Sequence, residues 1–118
     1  MEELEYLYNT GWDDWKPFPN PRKGQYLTAP LGSGVYQLRN TKCDKYVLFG
    51  TGRHLARRMT SLLPKPFGAG TRNNEDKRIY ILNNLHDIEY RTISFIENDD
   101  AKRFENYVKS IEQYIFGN

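Results

Sequence analysis

Apolar positions along this chain change their spacing several times, and each change marks an element. After the flexible Gly32-Ser33-Gly34, the segment Val35 to Arg39 is rich in strand formers. Asn40 to Lys45 is polar turn material, and Tyr46 to Phe49 is a second short β-prone run, so the pair predicts a hairpin. Gly50-Thr51-Gly52 breaks the second strand. Leu55, Met59 and Leu62 then recur at helical spacing and predict an amphipathic helix from His54 to Leu63, stopped by Pro64. A loop from Pro64 to Asn74 leads to a second helix over Glu75 to Leu85, with Ile79, Leu82 and Leu85 on one face. Ile88 to Ile96 has strand composition, and Asn98-Asp99-Asp100 starts a last helix whose apolar positions are Phe104, Val108, Ile111 and Ile115.

The predicted order is β-β-α-α-β-α, an α+β fold with a small three-stranded sheet, mixed or antiparallel, flanked by helices. Residues 1–30 read as an extension packed on a domain formed by residues 31–118. Glu2 to Tyr8 suits a short helix, but Trp12, Trp15, Phe18 and Tyr26 are interleaved with Pro17, Pro19, Pro21 and Pro30, which forbid regular structure. Such aromatics either pin an extended segment to a core or stack on bases.

Composition narrows the class. A chain of 118 residues with 38% hydrophobic and 14% aromatic content buries one core and is not disordered. The single cysteine, Cys43, forms no internal disulfide, and the isolated His54 and His86 offer no zinc-ligand spacing. The acidic start and the lack of a run of ~20 apolar residues argue against a signal peptide or a membrane span, giving the expectation of a soluble, cytoplasmic protein.

Net charge is only +2, yet it is unevenly placed. Between Arg53 and Arg78 seven basic residues face two acidic ones, a local surplus of +5, whereas the first fifteen residues carry five acidic groups and no basic one. Such polarity suits a surface that meets phosphates, although an ordinary solvated helix and loop has the same composition. Within the first helix, Arg58 lies on the flank of the face formed by Leu55, Met59 and Leu62, while Arg57 points nearly opposite. A half-buried arginine at a core edge is either an ion-pair partner or a fixed anion ligand.

Gly34-Val35-Tyr36, a short hairpin loop, Leu48-Phe49-Gly50, an arginine in the next helix and a late acidic residue in Ala101-Lys102-Arg103-Phe104-Glu105 together resemble the GIY-YIG nuclease domain. The triplets match as GVY and LFG. Counted from Gly50, the family's catalytic arginine falls on Arg58, and the resemblance runs from Leu31 to about Ile115. It implies metal-dependent hydrolysis of DNA phosphodiester bonds, with Tyr36, Arg58 and Glu105 as catalytic residues. Tyr36 would take a proton from the attacking water, which requires nearby positive charge because a phenol titrates near ~10. Arg58 would bind the phosphate under attack. Glu105 would hold a divalent cation, magnesium or alternatively manganese. From periodicity alone Glu112, on the same side of its helix, is as good a candidate.

The pattern also has gaps. Leu48 stands where the family usually has its second tyrosine, with Tyr46, two residues earlier on the strand, as a replacement hydroxyl. Leu62 stands where many members have histidine or tyrosine, and the family's late asparagine has only Asn118 as a counterpart. Gly50, Arg53 and Arg72 complete the expected substrate contacts, Arg72 from a glycine-rich basic loop suited to backbone phosphates. DNA is the expected partner, no membrane is, and a homodimer or targeting partner would supply specificity. Two other classes remain open at this point: a nucleic-acid-binding module of the same fold without catalysis, and a protein-interaction domain using Trp12, Trp15 and the tyrosines.

Overall fold

Strand β2 (Gly34–Asn40) is buried along almost its whole length because it is central: β3 (Lys45–Gly52) pairs with one edge and β4 (Ile88–Ser94) with the other. The computed structural model describes residues 2–63 and 75–116. Among these, the remaining strand and the α-helices are α1 (Glu2–Thr10), β1 (Lys16–Pro17), α2 (Leu55–Thr60), α3 (Glu75–Asn83) and α4 (Asn98–Ile111), with short 3-10 turns at Pro21–Lys23 and Leu85–Asp87. The fold is α+β. The sheet has four strands, not three, in the order β1-β4-β2-β3, and all its pairings are antiparallel. The extra strand is two residues long and lies on the edge, where a proline is tolerated because no neighbour requires its missing N–H.

Side-chain alternation splits the apolar residues into two cores. Tyr36, Leu38 and Leu48 face one way, against Leu55, Met59 and Leu62 from the first helical segment and Ile81 of α3. Val35 and Ile93 face the other way, against Ala101, Phe104 and Val108 of α4 and against α1 through Leu4 and Leu7. The sheet therefore has α2 and α3 on one face and α1 and α4 on the other.

Three local features depart from simple periodicity. The register of β2 on β3 slips between Leu38 and Arg39, so Leu38 pairs with Leu48 but Arg39 pairs with Tyr46. This bulge inserts Val47 and turns Tyr46 onto the α4 face. In α3 the buried residues are Arg78 and Ile81, whereas Ile79 and Leu82 are largely exposed, which corrects the predicted apolar face. The run Ile79-Tyr80-Ile81-Leu82 is apolar all round and does not select a phase. Finally, α4 ends at Ile111, and Ile115 does not continue it. The chain instead turns back along the edge of β3, where Ile115 N–H donates to the Tyr46 carbonyl (3.1 Å) and Phe116 N–H to that of Val47 (2.9 Å). Tyr114 stacks on Phe49 with ring centres 4.6 Å apart, and that packing holds the segment.

The amino-terminal residues are fixed by specific contacts. Asp13 accepts from Thr92 N–H (2.7 Å) and Thr92 Oγ1 (3.0 Å), which secures the start of β1 to β4. Phe18 is buried edge-on against Tyr90, and Trp12 lies edge-on against Phe104.

Candidate functional site around Arg58

Tyr36 projects from the middle of the sheet and is only 3% exposed. Its cross-strand partner is Gly50, and the ring occupies the space a side chain there would need: a Cβ on Gly50 would lie 2.6 Å from Tyr36 Cε2 and Oη. The glycine read as a substrate contact is thus explained by packing against the tyrosine. Two residues on, Gly52 is covered by the stem of Arg58, whose Cβ, Cγ and Cδ lie 3.4 to 3.7 Å from where a Gly52 Cβ would be. The two glycines open the end of β3, the first to the ring and the second to the arginine.

Arg58 is exposed, not half-buried as the helical phase predicted. Helix α2 has only six residues, and the turn after it is held from below. Arg78 is 5% exposed and donates from Nη1 to the Ser61 carbonyl (2.8 Å), tying α3 to the turn that follows α2. Its Nε has no hydrogen-bond partner among the described residues and lies 4.0 Å from the Glu75 carboxylate. An arginine beneath a helix end was not anticipated, because cationic residues are seldom buried.

The Arg58 guanidinium is the charge that connects the site. Burial pushes the Tyr36 phenol up to about 12; Arg58 opposes that shift and the Glu105 carboxylate adds to it. Glu105, half-buried on α4, is also raised, by burial first, against the pull of Arg58, Lys109 and Lys102. Lys77, in the first turn of α3, is lowered by burial and then by Arg58. Residues from β2, α3 and α4 thus share the field of one arginine on α2. At neutral pH the Tyr36 phenol keeps its proton, so the local positive charge falls short of making it a base and its hydroxyl is a hydrogen-bond donor.

Glu105 and Glu112, which periodicity could not separate, are separated here. Glu112 accepts a hydrogen bond from the Tyr8 hydroxyl, on the side where α1 meets the end of the chain. Tyr46 belongs to that side too. Its ring packs on Tyr114, 5.5 Å away, on the opposite sheet face from Tyr36. The expectation that it replaces the missing tyrosine is therefore corrected, and the bulge is the reason. Leu48 and Leu62 are fully buried in the core beneath α2. Arg53 is exposed between β3 and α2, while Arg72 and Asn118 lie outside the described residues.

Trp12 and Trp15 are bound into the structure rather than presented to bases. The Arg91 guanidinium sits 4.4 Å from the Trp12 ring and 4.5 Å from the Trp15 ring, and the Arg39 guanidinium sits 4.0 Å from the Trp15 ring. Arg91 also donates to Gln37 Oε1 (2.7 Å), and Gln37, fully buried, donates to the Tyr114 hydroxyl (2.6 Å).

Sequence reading passed over Lys102 and Lys109 as site residues and counted Lys77 only in the charge surplus. The spacing of the two α4 lysines, three before and four after Glu105, was the available signal. Among the described residues no three His, Cys, Asp or Glu side chains gather as a metal site. No described helix is long and apolar enough to cross a membrane. No family model, no curated protein and no solved structure matches this chain.

Proposed function

We propose that the protein is a GIY-YIG-type DNA endonuclease that hydrolyses phosphodiester bonds through Tyr36, Arg58 and Glu105. What supports this reading most is the grouping at the end of β3: the Arg58 stem lies over Gly52, beside the Tyr36 ring over Gly50, and Tyr36, Glu105 and Lys77, from three separate elements, lie within reach of the Arg58 charge. The run of strand, strand, helix, helix, strand, helix from Gly34 onward supports it as well.

Arg58 is exposed and free to meet two non-bridging oxygens of a phosphate in a bidentate contact, offsetting charge that develops during attack. Tyr36 donates a hydrogen bond from its neutral hydroxyl to a phosphate oxygen, and the attacking water gives up its proton to solvent. Glu105 is suited to a cation whose remaining positions are filled by water and substrate phosphates, the usual way magnesium is held. Magnesium or manganese bound there would polarise the phosphate and lower the pKa of water. Lys77 adds positive charge beside Arg58 and steadies the anion.

One observation favours a second reading, a nucleic-acid-binding module without hydrolysis. Tyr36 is almost completely enclosed, and the buried Leu48 provides no second hydroxyl. Plasmid nicking with magnesium or manganese, comparing wild type with Tyr36→Phe, Arg58→Ala and Glu105→Ala, tests the two. Metal-dependent cutting that the last two variants lose supports the hydrolase. Salt-sensitive binding with no cutting on any DNA form selects the binding module.

A further inference from the structure

Helix α4 buries Ala101, Phe104 and Val108, and the flank beside that face carries a row of charge. Lys102, Glu105 and Lys109 follow one another at i, i+3 and i+7, which on a helix of ~3.6 residues per turn puts all three within about 60° of one another. Both lysines are exposed, and both are near enough to oppose the effect of burial on Glu105. Arg103, beside them in sequence, is engaged elsewhere: it pairs with Asp100 at 3.1 Å and with Glu3 at 4.0 Å.

A helix needs only one lysine to pair with one glutamate. Here Lys102, Lys109 and Arg58 set three cations against a single half-buried carboxylate, and Lys77 adds a fourth positive charge beside Arg58. An excess of that size at an exposed surface fits a polyanion. The two lysines are separated along the helix axis by about 10.5 Å, which equals the rise of about three nucleotides at ~3.4 Å each. One phosphate group cannot span that distance, whereas a nucleic-acid strand can.

We propose that Lys102 and Lys109 are phosphate contacts that hold a nucleic-acid strand along α4, one on each side of Glu105, with the reacting phosphate between them at Arg58. The proposal rests on the nucleic-acid reading above and names the path its substrate takes. The row works through charge, so binding along it is salt-dependent and insensitive to base sequence.

The test is fluorescence anisotropy of a labelled DNA duplex titrated with protein at several salt concentrations and without added metal. Wild type is compared with K102Q/K109Q, K102R/K109R and Glu105→Gln. The glutamine pair is expected to lower the slope of log affinity against log salt by about 2, from about 0.9 for each lost phosphate contact. The arginine pair should restore it, and Glu105→Gln should bind at least as tightly as wild type. A wild-type slope in the glutamine pair, with or without a lowered melting temperature, overturns the track and leaves the nuclease reading standing. Failure of the wild type to bind DNA at low salt overturns both.

Discussion

The Tyr36 ring stands in the place where Gly50 would carry a side chain, 2.6 Å from the position a Cβ there would take. The two residues are directly opposed across β2 and β3, so Gly50 can gain a side chain only if the ring gives way. Gly50→Ala is expected to destabilise the fold by about 1–3 kcal/mol through overpacking. Tyr36→Leu should relieve part of that cost, giving a coupling of about 0.5–3 kcal/mol in a double-mutant cycle measured by urea unfolding. Strictly additive losses would show that ring and glycine do not compete for the same space.

Burial of the Tyr36 hydroxyl gives stability a dependence on alkaline pH. Its pKa in the folded state is raised to about 12, above the ordinary tyrosine value, so the unfolded chain loses this proton first as pH rises. The contribution is fully present below ~10 and is lost as pH rises through the folded value, a change of about 2–3 kcal/mol. Tyr8 and Tyr114 are raised for the same main reason and act in the same direction. Denaturant unfolding at about pH 9 and about pH 11 should show a smaller alkaline loss for Tyr36→Phe than for wild type. Equal losses would place the Tyr36 hydroxyl in contact with solvent.

Arg78 joins α3 to the turn after α2 through the Ser61 carbonyl. Arg78→Ala removes a buried donor to that carbonyl and is expected to cost about 1–3 kcal/mol. Hydrogen exchange should locate the damage. The amides of Leu62 and Leu63, which close the turn on Met59 and Thr60, should exchange faster, while those of α4 stay protected. Uniform loss of protection would make Arg78 a general core residue rather than a support for the segment that presents Arg58.

How much of this was legible in the chain varies residue by residue. Leu55, Met59 and Leu62 are all buried, because their spacing allows only one helical phase. The phase of α3 was not legible: four consecutive apolar residues left it open, and the buried arginine that settles it has no hydrophobic signature. Glu105 and Glu112 share one stripe, so only the partners brought in by other elements, Arg58 for the first and Tyr8 for the second, tell them apart. The bulge beside Leu38 depends on how two strands meet, and no property of either strand alone records it.

That bulge leads to a prediction about Tyr46. Because its ring lies against Tyr114 on the α4 face, Tyr46→Phe should leave any cleavage rate within about twofold of wild type, well below the ~100-fold or greater loss typical of removing a group that stabilises the transition state. A loss of that size in Tyr46→Phe would contradict its assignment to the far face.

Hydrolysis at this site depends most directly on Arg58, and single-turnover cleavage of supercoiled DNA by wild type and Arg58→Ala, with magnesium or manganese present, measures that dependence. Wild type is predicted to cut only when the metal is added, and Arg58→Ala to cut at least about 100-fold more slowly while still binding DNA. A clean wild type that binds but never cuts, or an alanine variant that cuts as fast as wild type, would contradict it.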